Sequence, residues 1–424
     1  MLNFISPNTT IRLNSKILPV IVLILFILVI VDGYRGWVIL LIPLGGTWLF
    51  ATIWAYNLAI GLKIRREMRL RWTQVGDRME EYFTLSNTSR LPALWVEVIG
   101  QTNMPDYWAN QVRAVNRESE TRWLIRGVCN RRGEYTLGPT SIYSHDPFGL
   151  YTVNIHNPES TTLVVVPPVV PLPFIRVSPG GRHGEGNLQV KTLDQDINSA
   201  GVREYFPGDN MRVIHWPTSV RKNAIYVRDF DHSPAGDWWI ILDLDQAVQV
   251  GDGQNATQEH AIILGASLTD WGMRTGRSVS LAAYGKELVW HRPQLSDAYK
   301  WEILRSLALV EPGKVPLGEL LALVHPSANP KTSLIIITPA VEGKWLPSLL
   351  AIQRLGVVPT VLLFNLESFG GSGESIRLLN KLTALGIRTQ MISRDWLQRN
   401  GQQIGGAKNW GQKGNSEGRF VHSL

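Results

Sequence analysis

Trp238-Trp239-Ile240-Ile241-Leu242-Asp243-Leu244-Asp245 is the stretch on which the reading of the fold turns. Five apolar residues follow one another without alternation. That pattern marks a strand covered on both faces. It closes on two carboxylates, Asp243 and Asp245. Downstream, 257–275 reads as a helix with Ala261, Leu264, Leu268 and Trp271 on one face. A strand follows at 277–285, then helices at 298–310 and 317–324. Residues 333–338 form a second buried strand. A helix over 346–355 ends at Gly356, and a strand occupies 360–364. A helix over 375–385 is closed by Gly386, and a last strand spans 389–392. Strands alternating with helices imply a parallel sheet with helices on both sides. Residues 236–396 are therefore expected to form an α/β doubly wound domain. Open sheets of this kind bind ligands at the carboxyl ends of their strands, where Asp243 and Asp245 sit. Residues 397–424 are rich in Gly, Asn, Gln and Lys and are expected to be a disordered tail.

Upstream the period changes to two. From 63 to 175, short alternating runs are separated by turn residues: Tyr82-Phe83-Thr84-Leu85, Leu94-Trp95-Val96-Glu97-Val98-Ile99, 123–128, 133–139 and 162–166. This spacing predicts an all-β, sandwich-like domain. In Asp146-Pro147-Phe148-Gly149 the aspartate is expected to cap its own turn, with Phe148 packed inward. Cys129 is the one cysteine, so no disulfide forms within the chain. It reads as an inert buried thiol. Pro167-Pro168-Val169-Val170-Pro171-Leu172-Pro173 is expected to be a stiff linker. The glycine-rich stretch at 180–186 lacks the Gly-Lys-Ser/Thr of a phosphate loop and reads as a mobile loop within a 176–235 linker and signature segment.

The first 62 residues carry two apolar runs, 17–31 and 37–60, separated by Asp32-Gly33-Tyr34-Arg35-Gly36. A bilayer-crossing helix needs about 20 apolar residues, which the second run meets and the first nearly does. A transmembrane helical hairpin is expected. Arg12 and Lys16 precede it, and Lys63, Arg65, Arg66, Arg69 and Arg71 follow it, whereas Arg35 stands alone between the runs. By the positive-inside rule both termini and the soluble domains are cytoplasmic, in a two-pass cell-membrane protein. The anchor accounts for much of the net charge of +7, so no nucleic-acid partner is inferred.

Between the two halves lies Arg203-Glu204-Tyr205-Phe206-Pro207-Gly208-Asp209, continuing through Arg212, Ile214, His215, Trp216, Ser219 and Arg221. Pro-Gly-Asp is a turn signal. Arginines among carboxylates suit either a solvated surface turn, a buried ion-pair lock or a ligand site. The order Arg203, Tyr205, Pro207, Gly208, Asp209, Arg212, Ile214, Trp216, Ser219, Arg221 resembles the signature of the bacterial membrane-associated family grouped as domain of unknown function fifty-eight. Residues 132–139 and 146–150 resemble the β domain of the same family. Two positions depart from it: His215 stands where the family usually has Asp, and Pro217 where it has Lys or Arg.

The strand–Asp opening at Asp243 is similar to that of von Willebrand factor A-like domains. That likeness implies a metal on Asp-x-Ser-x-Ser with a later Thr and Asp. Here those positions hold Asp243, Asp245 and Ala247, with Thr338-Pro339-Ala340 after the later strand. A hard cation wants several oxygen ligands, so no cofactor is expected and Mg²⁺ is disfavoured. The resemblance implies a non-enzymatic, membrane-anchored scaffold that binds partner proteins, with a MoxR-type AAA ATPase as companion. Two alternatives stand beside it. One is a hydrolase using His215, Asp209 and Ser219, against which no Gly-x-Ser-x-Gly elbow is present. The other is a metal-dependent binding domain at Asp243.

Overall fold

A short strand, β1 (Thr9–Leu13), comes before the first apolar helix. The sequence pattern did not announce it, because five residues of mixed polarity carry no period of their own. The computed structural model describes residues 8–172, 175–178, 199–204, 216–222, 224–230, 237–327 and 332–397. The chain divides into two units, Met1–Pro168 and Val169–Leu424.

In the first unit, α1 (Ile17–Asp32) and α2 (Arg35–Gly61) form the hairpin. Gly33 closes α1 in the left-handed conformation, and its N–H donates to the Val29 carbonyl at 3.2 Å. The Trp37 indole N–H donates to the Asp32 carboxylate at 3.1 Å and ties the tip together. Both helices are apolar all round, so neither has a face to choose by sequence. Their surroundings divide α2 instead. Trp54, Ala55, Leu58 and Ala59 join the core of the β unit, which includes Phe83, Leu85 and Leu137, and Ala51 is buried as well. Residues 37–60 were expected to be one uninterrupted span. In fact no residue of α2 is buried up to Phe50, and from Ala51 one face of the helix is buried while Ile53, Tyr56 and Ile60 stay exposed.

Two sheets share that core. The seven-stranded sheet runs β1-β9-β8-β10-β3, with β5 on β8 and β6 on β5; the other runs β2-β4-β7. The strands are β2 (Leu62–Met68), β3 (Trp72–Gln74), β4 (Arg78–Asn87), β5 (Ala93–Thr102), β6 (Gln111–Val115), β7 (Ser119–Val128), β8 (Gly133–His145), β9 (Tyr151–Asn157) and β10 (Thr161–Val166). Alternation sets the inward faces: Met79, Glu81, Phe83 and Leu85 of β4 are buried. On β2 the same alternation turns Arg66 inward after Leu62 and Ile64. The cluster that reads in sequence as a basic flank is thus a strand. Its Arg66 side chain is 5% exposed and bonded to the fully buried Glu81. Arg65 and Arg69 pair with Glu67 and Glu80 at the surface.

Asp146 does cap its turn: its carboxylate accepts the N–H groups of Phe148 (2.9 Å) and Tyr151 (2.5 Å). Phe148 is not packed inward. It is 54% exposed and meets Phe50 of α2 edge-on, 6.2 Å between ring centres. Cys129 is fully buried, and burial pushes its thiol up to about 12, so it stays protonated.

In the second unit, the proline-rich stretch is not a free spacer. Val170, Leu172 and Ile175 are buried. The Val170 N–H donates to Ser267 Oγ, and the Ser178 N–H to Thr360 Oγ1, both at 2.9 Å. Apolar side chains between the prolines give it a surface to bury, so it straps the unit. An antiparallel ribbon pairs β11 (Ser199–Glu204) with β12 (Tyr226–Phe230), and α3 (Trp216–Lys222) precedes β12. Strand β12 carries Arg228 and Asp229 in its interior.

The main sheet contains β13 (Trp238–Leu242), β14 (Val279–Tyr284), β15 (Leu288–Gln294), β16 (Ser333–Thr338), β17 (Val358–Phe364) and β18 (Arg388–Ile392). Its order is β15-β14-β13-β16-β17-β18, parallel except for the edge strand β15. Strand β15 holds Pro293, which an edge tolerates and an interior strand does not. Trp239 and Ile241 face α6 (Leu317–Val324), α7 (Leu346–Arg354) and α8 (Ser375–Ala384). On the opposite face lies α4 (Thr257–Arg274), where Gly265 lets the helix approach Leu242 and Trp271 meets Trp238 edge-on at 5.1 Å. Helix α5 (Asp297–Leu309) packs against α4.

Candidate functional site

The chain order in the sheet reverses between β13 and β16. A crevice forms at the carboxyl ends of strands where such a reversal occurs. Asp243 follows β13, and Thr338 ends β16 beside it. Asp243 is 1% exposed. The Thr338 hydroxyl donates to its Oδ2 at 2.6 Å, and the Asp245 N–H to its Oδ1 at 3.2 Å. Burial pushes the Asp243 carboxyl up to about 6; the bonds from Thr338 and Asp245 oppose that rise, and the Asp245 charge adds to it.

Asp245 is half-buried and caps its own turn, accepting the Ala247 N–H at 3.0 Å. A polar brace lies under this turn. The Gln249 side-chain amide donates to the carbonyls of Asp243 (3.0 Å) and Asp245 (3.3 Å), and it accepts the buried Thr257 hydroxyl at 2.8 Å. From the other side Gly313 pairs with the loop: its N–H donates to Leu244 (2.9 Å) and its carbonyl accepts Gln246 (2.8 Å). Above the turn lies an open crevice of about 440 Å³ lined by Asp245, Gln246, Ala247, Lys314 and Pro316.

The donor set fits a hard cation poorly. Both oxygens of Asp243 are already engaged, Ala247 and Ala340 offer no side-chain oxygen, and Lys314 brings a positive charge to the rim. Among the described residues no group of three or more His, Cys, Asp or Glu converges. The arrangement instead presents a crevice with one carboxylate, Asp245, and one ammonium, Lys314, on a braced loop.

Gly313 sits where a side chain has no room. A Cβ there would lie 2.0 Å from the Gly285 carbonyl oxygen. Gly313→Ala is expected to displace the 244–246 loop and to cost at least about 2 kcal/mol. Thermal unfolding of the full chain checks this; an unchanged midpoint would show that the loop relaxes freely.

Of the signature residues, Tyr205, Pro207, Gly208, Asp209, Arg212, Ile214 and His215 lie outside the described residues. Arg203 lies on β11, opposite Val227. Trp216 and Arg221 are exposed on α3. Ser219 is buried, with its hydroxyl accepting the Tyr226 N–H (2.8 Å) and donating to the Tyr226 carbonyl (3.2 Å). It clasps α3 to β12.

Residues 201–349 match the family described as protein of unknown function DUF58. The matched segment runs from the β11 ribbon through the Asp243 site to α7, so it holds both the signature and the crevice. An uncharacterized protein of Bacillus subtilis, YeaD, is 22% identical over 277 residues, which is 62% of this chain and 65% of that protein. The chain therefore spans somewhat less than two thirds of that relative. Solved structures align only weakly. The CARDB domain of a Pyrococcus furiosus protein is 10% identical, covering 25% of this chain and 94% of its own, at a TM-score of 0.19. The proximal thread matrix protein 1 of the mussel byssus is 13% identical, covering 40% of this chain and 44% of its own, at 0.29.

Asp243, Asp245 and Thr338 were legible in sequence as residues at strand ends. Gln249, Thr257, Gly313 and Lys314 were not. They reach the site from a loop, a helix start and a crossover, and no spacing rule links them. The one available hint was Gly313 in the Pro312-Gly313-Lys314 turn.

Proposed function

We propose that this protein is a membrane-anchored, non-enzymatic scaffold whose units face the cytoplasm and whose second unit, read as a von Willebrand factor A-like domain, holds a partner protein. The observation that carries the reading is how the hairpin is rooted. Strand β1 enters it and β2 leaves it, and both strands belong to the first unit. A hairpin in a bilayer would then return its chain to the side from which it started. Exposed Lys16 and Lys63 flank that side, while Asp32 offsets Arg35 at the tip, which favours a cytoplasmic root. The scaffold half rests on the strand-end crevice, where Asp243 is bonded internally and Asp245 and Lys314 face outward. The likeness to the DUF58 family adds the MoxR-type AAA ATPase as the partner to seek.

Capture of the detergent-solubilised full chain from its native membranes, with and without ATP and Mg²⁺, tests the reading. The expected result is an AAA ATPase recovered with the wild type and lost with Lys314→Glu, an exposed rim position whose melting midpoint stays that of the wild type. Equal recovery with the variant would move the contact away from the crevice. Absence of any ATPase would remove this partner.

A further inference from the structure

We propose that the 146–151 turn of the β unit is a membrane foot: Phe148 inserts at headgroup level and seats the unit directly on the bilayer. This rests on the reading of the hairpin as an anchor. The first argument is length. Helix α1 has 16 residues. At ~1.5 Å per residue it covers about 24 Å, less than the roughly 30 Å of a hydrocarbon core. Helix α2 is longer, 27 residues, but from Ala51 one face of it is buried in the β unit while Ile53, Tyr56 and Ile60 stay exposed at the root. The tip carries Asp32, Arg35, Tyr34 and Trp37, charges and aromatics that belong at a polar boundary. For the tip to reach the far headgroups, the root must be drawn into the near ones.

The second argument is what stands at the root. No spacer separates sheet from helix: Asn14, between β1 and α1, donates its N–H to the Leu150 carbonyl (2.8 Å) and its side-chain amide to the Gly149 carbonyl (3.0 Å). The turn is thereby held level with the start of α1. Phe50 of α2, itself exposed, touches Phe148. Within the turn, Asp146 fixes the backbone through Phe148, Gly149 and Tyr151. The Tyr151 hydroxyl bonds Trp48 and Thr52 of α2, both at 3.0 Å. A single exposed Phe on a soluble surface is ordinary. One clamped rigidly at the root of an apolar hairpin, whose first helix is too short to cross unless that root is submerged, has a lipid interface as its occupant.

The test uses the full chain in phospholipid vesicles, with an environment-sensitive fluorophore on an introduced cysteine. Cys129 is buried and stays unlabelled in the folded protein. Three single variants are compared: Phe148→Cys, Ile24→Cys at mid-hairpin, and Arg117→Cys. Arg117 lies beside Glu118, whose N–H bonds Ser89 near the α2 C-terminus, on the side away from the hairpin tip. Nitroxide placed near the lipid glycerol end should quench the probe at Phe148, nitroxide near the chain methyls should quench the probe at Ile24, and neither should quench the one at Arg117. Quenching at Ile24 with none at Phe148 overturns the foot and leaves the anchor. Quenching at neither overturns both.

Discussion

Glu81→Ala is expected to destabilise the β unit by about 3–5 kcal/mol, because it leaves the Arg66 guanidinium buried without its countercharge. Arg66 Nη2 donates to Glu81 Oε2 at 3.0 Å, and Arg66 Nε and the Tyr107 hydroxyl complete the carboxylate's partners. The guanidinium also lies over the Phe83 ring, 5.2 Å from its centre. Burial, then the charge of Glu81, pushes the Tyr107 phenol up, so it remains a donor. With Arg66 5% and Glu81 0% exposed, the pair has little solvent contact to compensate a deletion. Denaturant unfolding in detergent measures the loss. The double variant Arg66→Met, Glu81→Gln should recover most of it, since it removes both charges, keeps the volume and leaves an acceptor for the Tyr107 hydroxyl. A single-variant loss within about 0.5 kcal/mol, the range of an ordinary surface change, would show that the pair is hydrated.

Asp243→Asn is expected to stabilise the second unit at neutral pH. A carboxyl with a folded pKa of about 6, against an ordinary 3.8, holds its proton more tightly folded than unfolded. Its contribution is therefore fully present below about pH 4 and is lost as pH rises through about 6. The shift corresponds to about 3 kcal/mol at about 1.4 kcal/mol per unit. Above that window the wild type carries the cost of a buried ionised group. Asn carries no charge; its one oxygen can keep the Asp245 N–H, and its NH2 can donate to the Thr338 hydroxyl oxygen. Stability measured from pH 4 to 7.5 should fall with rising pH in the wild type and stay level across that step in the variant. Equal slopes in the two proteins would place Asp243 in a more polar setting than its burial indicates.

The local patterns were sufficient for much of the architecture. The unbroken run 238–242 announced a strand covered on both faces, and the matching run 333–338 became its neighbour β16 with the same bounds. Helices α4 to α8 began and ended within a residue or two of where their apolar spacing and closing glycines put them. The β unit was legible from period two, because a half-buried strand must alternate. The two apolar helices were legible from composition alone. The match of residues 201–349 to DUF58 falls on the segment where the signature residues were read.

Four features were decided only by tertiary structure. Alternation could turn Arg66 inward only once a partner strand had placed Glu81 beside it; in sequence it was one basic residue among five. Phe148 lay in a turn whose capping was readable, yet its side chain points outward because α2, distant in sequence, offers Phe50 there. The proline stretch became a strap because Ser267 and Thr360 supply acceptors for its N–H groups. The Asp243 site gained its brace from Gln249, Thr257 and Gly313, which are brought together by crossovers. The sequence by itself determined what each segment could become, since period and composition act over a few residues. Which charges are buried, which aromatic is displayed and which carboxylate is perturbed depend on contacts between distant segments, and those are fixed only when the sheets assemble.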